Sequence, residues 1–479
     1  MKKTFYICAL VALLLAAAFA HAQQITGLRL VIKEKLLGRV PEGAVLSLQL
    51  VSPDSSRFVY VVKRGDKSYV AVNGKLGPAF DVVAPRTMRF SPDDKRFVYA
   101  ARRGPDWFLV RDGKAQKIAG EPAAPAFAPN PLFSPDSRHL ALVLKQGDMF
   151  SLVMDGVEFG RYASVNGLTF SPDSHHWAFS TGHGDKSQII TDSGPGPEYK
   201  TVSLPLFSAD NRRLGYVASR GAGEFTVIDG AEGKVYEAVD GLTFSPDGRR
   251  IAFQTKTKEH LIMAVVDGQE HKGYKGGQSS PILFSPDSSH VAYVASDGDN
   301  SILVLDAVEQ KAYPGIFFMT FSPDSRHLLL KTKAGAQDVV VVDGKEGKPY
   351  PSILQETITF SPTGRLAYRA TVTEQRPVEG EPGTTTEVDK EAFIVADGVE
   401  GTRFPAVNYP SFSADGTYLA YTAMRDNGWR LVVNGVEGNK TYDAFMGSHR
   451  PEFISRNRVR FVGIRQAEVF RVGVRITAK

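Results

Sequence analysis

Three histidines, His175, His176 and His183, stand close together in the chain, and clustered histidine is common metal-ligand chemistry. Adjacent residues of a strand point to opposite faces, so His175 and His176 do not readily share one ion. His176 also fills a polar position ahead of an apolar run that His139, His290 and His327 fill elsewhere. That position reads as structural, and no metal is expected. Aspartates recur in Ser-Pro-Asp phrases, but calcium needs converging oxygen ligands. One turn aspartate per phrase does not converge, so turn capping is expected instead. The single cysteine is Cys8, inside the N-terminal apolar stretch, so the rest of the chain has no thiol nucleophile or disulfide. No Gly-x-Ser-x-Gly motif occurs, and no catalytic residue or cofactor is assigned.

Binding chemistry has more material. Arg102 and Arg103 precede Trp107, and Lys256 and Lys258 sit in a short polar run. Trp107 and Trp429 each lie six residues before an Asp-Gly or Asn-Gly glycine. Exposed, such tryptophans act as hot spots or stack on sugar rings. Packed, they fill a sheet edge. Arg458, Arg460, Arg465, Arg471 and Arg475 alternate near the C-terminus, as a solvated outer face or an anion-binding one.

The elements that position these residues follow from one recurring phrase, an apolar residue before Ser-Pro-Asp or a close variant. It begins at Val51, Phe90, Phe133, Phe170, Phe207, Phe244, Phe284, Phe321, Phe360 and Phe412, with a degenerate copy at Phe453. Eleven copies at a spacing of about 40 residues mean a repeat architecture. In the unit from Phe244 to Leu283, the turn Ser-Pro-Asp-Gly leads to the run Ile251–Gln254. A polar stretch and a second run, Leu261–Val266, follow, and Asp267-Gly268 ends it. This reads as four short strands, a to d. Proline presets the first turn, aspartate caps it, and glycine tolerates positive φ. Asp-Gly suits the tight c–d hairpin. An aromatic stands six residues past the hairpin glycine in most copies, as at Tyr236, Tyr274 and Tyr350. It is expected to fill the space between sheets. No sustained helical period occurs, so the fold class is all-β, and a repeated four-stranded leaf is a β-propeller blade.

The segments Phe244 to Phe253, Phe133 to Leu142 and Phe284 to Tyr293 resemble the WD40-like, Ser-Pro-Asp-Gly-type repeat of the TolB-like propeller family. The resemblance covers nearly all of residues 23–479. It implies a propeller fold and a periplasmic setting. The chain departs from that family in having more repeats and no preceding α/β domain. The repeat also resembles the propellers of prolyl-oligopeptidase-like enzymes, whose Gly-x-Ser-x-Gly hydrolase motif is missing.

Lys2 and Lys3, an apolar stretch to about Phe19 and Ala20-His21-Ala22 predict a cleaved signal peptide over residues 1–22. The localisation expected is periplasmic or secreted, and no membrane span follows. The formal net charge is +5, a near balance that argues against nucleic acid as a partner. Eleven blades exceed the usual number for one propeller, so two packed propellers are expected first and one large ring second. The last repeat has strands a, b and c at Glu452–Ser455, Arg458–Ile464 and Val469–Ile476 but no d. The orphan strand Leu28–Lys33 is expected to supply it and close the structure.

The b–c segments vary where the a–b and c–d turns repeat, and variable loops on a rigid scaffold are where binding is expected. The longest, Thr371–Lys390, is an acidic b–c insertion: a lid, a partner-binding arm or, first, a mobile, solvated hairpin extension. The function expected is an exported, non-enzymatic scaffold binding a protein, peptide or cell-envelope component. A propeller hydrolase or lyase acting on saccharide or peptide is the alternative, and it needs acids or histidines converging from several inner strands.

Overall fold

The computed structural model describes residues 27–40, 49–123, 130–221, 223–257, 259–275, 281–298, 300–377, 385–426, 428–446 and 450–478. The signal-peptide reading and Lys258 lie outside the described residues. The fold is all-β, a β-propeller of eleven blades, each an antiparallel sheet with strands in the order a-b-c-d. The chain divides into two compact units. One comprises residues 41–321 and 325–333, and the other residues 1–40, 322–324 and 334–479.

Blade 1 is Gln49–Val51, Phe58–Arg64, Lys67–Val72 and Lys75–Leu76, and blade 2 is Val82–Phe90, Phe97–Arg103, Asp106–Arg111 and Lys114–Ile118. Blade 5 is Thr201–Val202 with Leu206–Phe207, Leu214–Ser219, Glu224–Ile228 and Ala231–Glu232. Blade 6 is Ala238–Phe244, Ile251–Lys256, Ile262–Val266 and Gln269–Glu270, and blade 10 is Ser411–Phe412, Leu419–Arg425, Gly428–Val433 and Val436–Glu437. Blade 11 has Ala444–Met446 and Glu452–Ser455 as a split strand a, then Arg458–Arg465 and Glu468–Ala478. Its fourth strand is Leu28–Arg39, paired from Leu28↔Ala478 to Arg39↔Glu468. The closing strand is thus the one expected from the sequence, six residues longer at its C-terminal end. Leu28 is buried with Tyr442, Phe470 and Val472, so the strand is held by packing as well as by its ladder.

The core lies between consecutive sheets. Val59, Val70 and Phe80 of blade 1 meet Phe97, Tyr99 and Val110 of blade 2. Strand b of blade 2 is buried on both faces through Phe97–Ala101. Sheets covered on both sides use continuous apolar runs rather than alternation.

The turns carry the chemistry read from the repeats. In blade 2, Ser91 Oγ donates to Asp93 Oδ1 at 2.7 Å and accepts the Arg96 N–H at 3.0 Å. Asp93 Oδ1 also accepts the Lys95 N–H at 3.1 Å, which closes the turn. Those bonds hold the Asp93 carboxyl down at about 2, the Ser91 bond contributing most. The residue after the aspartate takes positive φ, 60° at Asp94 and 73° at Gly248. The Asp93 N–H then reaches Ser137 Oγ of the next blade at 2.9 Å. Asp136, Asp247 and Asp287 reach Ser174, Ser288 and Ser325 in the same way. At the c–d hairpin, Asp112 and Gly113 have φ 47° and 83°, both positive, as a type I′ turn requires.

The histidines also find their roles here. His139, His176 and His290 bond Asp155, Asp192 and Asp306 of the neighbouring hairpin at 2.7, 2.9 and 2.7 Å. The same position holds Arg250, which bonds Asp267 at 2.9 Å and lies 5.2 Å from the Phe284 ring of the next blade. The long b–c insertion takes the hairpin form expected first for it. Strands b and c of blade 9, Leu366–Pro377 and Thr385–Ala396, continue past the sheet as a two-stranded ribbon. Its pairing runs from Thr373↔Asp389 to Pro377↔Thr385, so the flanks of 371–390 are strand.

Candidate functional site

A polar clasp recurs between neighbouring blades. A tyrosine after strand d donates its hydroxyl to a glutamate in strand d of the next blade, and a cation grips that glutamate from above the ring. Tyr236 bonds Glu270 at 3.0 Å, and Lys234 bonds Glu270 at 2.5 Å with its Nζ 5.4 Å from the ring. Tyr274, Glu309 and Lys272 repeat this. So do Tyr199, Glu232 and Arg220 and Tyr350, Glu400 and Lys348. At the closing strand, Glu34 accepts from Tyr442 at 2.8 Å and from Arg465 at 3.0 Å. Burial pushes the Glu34 carboxyl up, but the bonds from Arg465 and Tyr442 outweigh it and hold it below the usual carboxylate range. Burial and Glu270 together push the Tyr236 hydroxyl up to about 12.

Reading the sequence for motifs misses the clasp glutamate. Its signal is there: Glu232, Glu270, Glu346, Glu400 and Glu437 each stand two residues past a hairpin glycine. Of the aromatics expected as filler, Tyr274 and Tyr350 are buried and Tyr236 is half-buried, and all three also donate hydrogen bonds.

Between blades 1 and 2 the clasp is missing. The aromatic is Phe80, fully buried, and the glutamate position of blade 2 is Ala115, opposite Val110 in the register where Glu270 faces Val265. Arg103 still lies 4.9 Å from the Phe80 ring and donates to the Ala79 carbonyl at 2.9 Å. Lys63, Arg64 and Arg102 are exposed at the neighbouring b–c ends, and among the described residues none of these four cations forms an ion pair. The nearby acid, Asp81, is taken by Lys67 at 2.6 Å and by the Gly104 N–H. Those contacts, Lys67 first, hold the Asp81 carboxyl low. Residues 49–120 hold fourteen Lys and Arg against seven Asp. The near-neutral whole chain therefore conceals a basic pair of blades.

The expected binding residues do not form one site. Arg102, Arg103 and Trp107 share the b–c end of blade 2, with Arg102 opposite half-buried Trp107. Lys256 lies in a cleft of about 570 Å³ between blades 5 and 6, beside Arg220, Lys234 and Tyr236. That cleft is internally neutralised: Lys256 meets Glu237 at 3.5 Å, Lys234 meets Glu270, and Arg220 meets Glu232. Trp429 packs edge-on to Phe445 at 6.1 Å and belongs to the core beneath the closing strand. Arg460 and Arg465, from the alternating C-terminal run, are tied to Glu452 and Glu34. Among the described residues no cluster of His, Cys, Asp or Glu has metal-holding geometry, and no helix is long and apolar enough to cross a membrane.

No protein-family model matches the chain, and no curated protein matches it. Among solved structures, it is similar to the Dos1 propeller at 12% identity, over 64% of this chain and 90% of that one, with a TM-score of 0.32. TolB from Acinetobacter baumannii matches at 12% identity over 52% and 75%, TM-score 0.25. A eukaryotic initiation factor matches at 11% over 66% and 91%, TM-score 0.39. Likeness at this level assigns no activity.

Proposed function

We propose that this chain is an exported, non-enzymatic propeller scaffold that binds an anionic partner at the b–c end of blades 1 and 2, an acidic protein segment, peptide or cell-envelope component. One observation carries the reading: Lys63, Arg64, Arg102 and Arg103 are exposed at this end and form no ion pair among the described residues, with Arg102 opposite Trp107. In the cleft holding Lys256 the cations are neutralised instead, by Glu237, Glu270 and Glu232. An unneutralised patch attracts anions and speeds encounter, an effect that salt screens. The signal-peptide pattern at residues 1–22 and the TolB-like repeat favour export to the periplasm.

The test is titration of an acidic peptide and of anionic lipid vesicles, followed through Trp107 fluorescence. Binding should weaken at least tenfold in Lys63→Glu/Arg102→Glu and fall steeply as salt rises. Salt-independent binding, or equal binding by the variant, would overturn the assignment. N-terminal sequencing of the exported protein should begin at Gln23.

A further inference from the structure

At the opposite end of the same two blades is a second feature. A crevice of about 570 Å³ opens between the c–d hairpins of blades 1 and 2, within the roughly 300–1,000 Å³ range of small-molecule pockets. Its floor is apolar, with Val70, Val72, Leu76 and Phe97, and its rim carries Arg57, Lys75 and Lys114. Tyr99 lines it as well. Tyr99 is 2% exposed, and its hydroxyl is buried with no hydrogen-bond partner in the protein. Gly77 places no side chain against that hydroxyl, and a Cβ there would lie 3.4 Å from it.

The equivalent crevice between blades 9 and 10 shows what is unusual. It measures about 320 Å³ and is lined by Arg365, Asp397, Glu400 and Tyr421. Arg365 is neutralised by Asp397 at 2.9 Å. In blade 1 the hairpin position of Asp397 is Asn73, and that of Glu400 is Leu76. Arg57 keeps the cation's place over the next ring, 4.6 Å from Phe90, and bonds the Asp94 carbonyl. It has no carboxylate. Lys75 and Lys114 form no ion pair among the described residues. The one acid in the lining, Asp112, has its Oδ1 engaged by the Phe97 N–H at 2.9 Å.

From this geometry we infer that the crevice between blades 1 and 2 is a binding site for a small amphipathic carboxylate, with the apolar body on the floor and the carboxylate at the rim. The carboxylate would accept from Tyr99 and be neutralised by Arg57, Lys75 and Lys114. Such a bond satisfies the buried hydroxyl, which is otherwise left unpaired at a free-energy penalty. Burial pushes the Tyr99 hydroxyl up to about 12, so it remains a donor at neutral pH.

Isothermal titration of the full chain with octanoate tests the inference, with octanol and inorganic phosphate as comparison probes. Octanoate should bind saturably and better than either. Lys75→Gln/Lys114→Gln should weaken it at least tenfold, since both side chains are on the surface and the fold does not depend on them. Tyr99→Phe should weaken it severalfold while raising the thermal unfolding temperature of the free protein, since it removes an unpaired buried hydroxyl. No saturable octanoate uptake, equal affinity in the lysine double variant, or octanol or phosphate binding as tightly as octanoate would each overturn it. None of these variants touches the Lys63–Arg102 patch, so this site and the proposed partner site succeed or fail separately.

Discussion

The seam between blades 5 and 6 and the seam between blades 1 and 2 are built on one plan and end with opposite electrostatics. Each has an aromatic after strand d with a cation close to it. At the first, Tyr236, Lys234 and Glu270 close a neutral triad. At the second, Phe80 and Ala115 remove the hydroxyl and the carboxylate together, and Arg103 is left over the ring alone. The difference separates two jobs a repeat can do. Where the glutamate is present, the charges are used up holding blades together. Where it is missing, Arg103 stays over the ring with no carboxylate to hold, and the proposed partner site draws on that unneutralised charge.

The contrast breaks first, and most severely, at the closing strand. Glu34 there performs the task of Glu270, but on a segment with no covalent link to its blade other than through the rest of the chain. Removing residues 27–39 strips Leu28, Leu30 and Ile32 from blade 11, about 5 kcal/mol or more of burial. It also exposes the edge of Glu468–Ala478 to intermolecular pairing. Thermal unfolding followed by circular dichroism should show a fall of at least roughly 5 °C, with aggregation. An unchanged transition would mean that the strand is not a working part of the blade.

Point changes within a clasp come next. Glu34→Gln leaves Arg465 partly buried without its carboxylate, and a loss of about 1–3 kcal/mol is expected from urea unfolding. Arg103→Gln, at the seam without a glutamate, removes only a cation over a ring and should lose about 0.5–1 kcal/mol. Equal losses would show that the glutamates add nothing. Acid should separate the seams as well. The carboxyls of Glu34, Glu270, Glu309 and Glu400 all lie below their usual values, with cations or tyrosine hydroxyls responsible. A depressed folded pKa contributes stability that is complete above the unfolded value, about 4.3, and is lost as pH falls through the folded value. Hydrogen exchange below about pH 4.3 should therefore rise at the clasped seams before it rises between blades 1 and 2.

Much of this is legible in the chain. The phrase at Phe244 and its copies place every blade, because a turn motif and two apolar runs per unit allow few other folds. The apolar run Leu28–Lys33, ahead of the first repeat, points to the closing strand, and its pairing with Glu468–Ala478 agrees. The histidine at 176 is set aside by its alignment with His139 and His290. The clasp glutamates are not legible as such: they sit on two-residue strands, where no hydrophobic period marks them, and their partners belong to the next repeat. The basic surplus of blades 1 and 2 is lost in a whole-chain charge of +5. The ribbon at 373–377 and 385–389 is legible as the hairpin extension read from the sequence, and Thr-Val-Thr and Thr-Thr-Glu-Val carry the β-branched residues that suit a strand. Nor can a sequence show that Trp107 and Trp429, at matching positions, differ in surroundings, one by Arg102 and the other over Phe445.

The smallest expected effect is also the sharpest test of the contrast, because it tries to convert one seam into the other. Ala115→Glu places a carboxylate opposite Val110, where the register puts Glu270 opposite Val265, and Arg103 is already in position. Alone it should add a partly exposed ion pair worth about 0.2–1 kcal/mol. Phe80→Tyr alone should destabilise by about 1–3 kcal/mol, since a fully buried ring then carries a hydroxyl with no acceptor. Together the hydroxyl and the carboxylate satisfy each other, as Tyr236 and Glu270 do, and the double variant should return to at least the parent's stability. A double-mutant cycle by urea unfolding isolates that coupling from the separate effects. A favourable coupling of about 1 kcal/mol or more, with weaker capture of acidic peptide now that Arg103 is neutralised, would show that the missing glutamate is what turns this seam toward a ligand. Zero coupling would mean that the clasp is a by-product of blade spacing, and the contrast between the two seams would then need another cause.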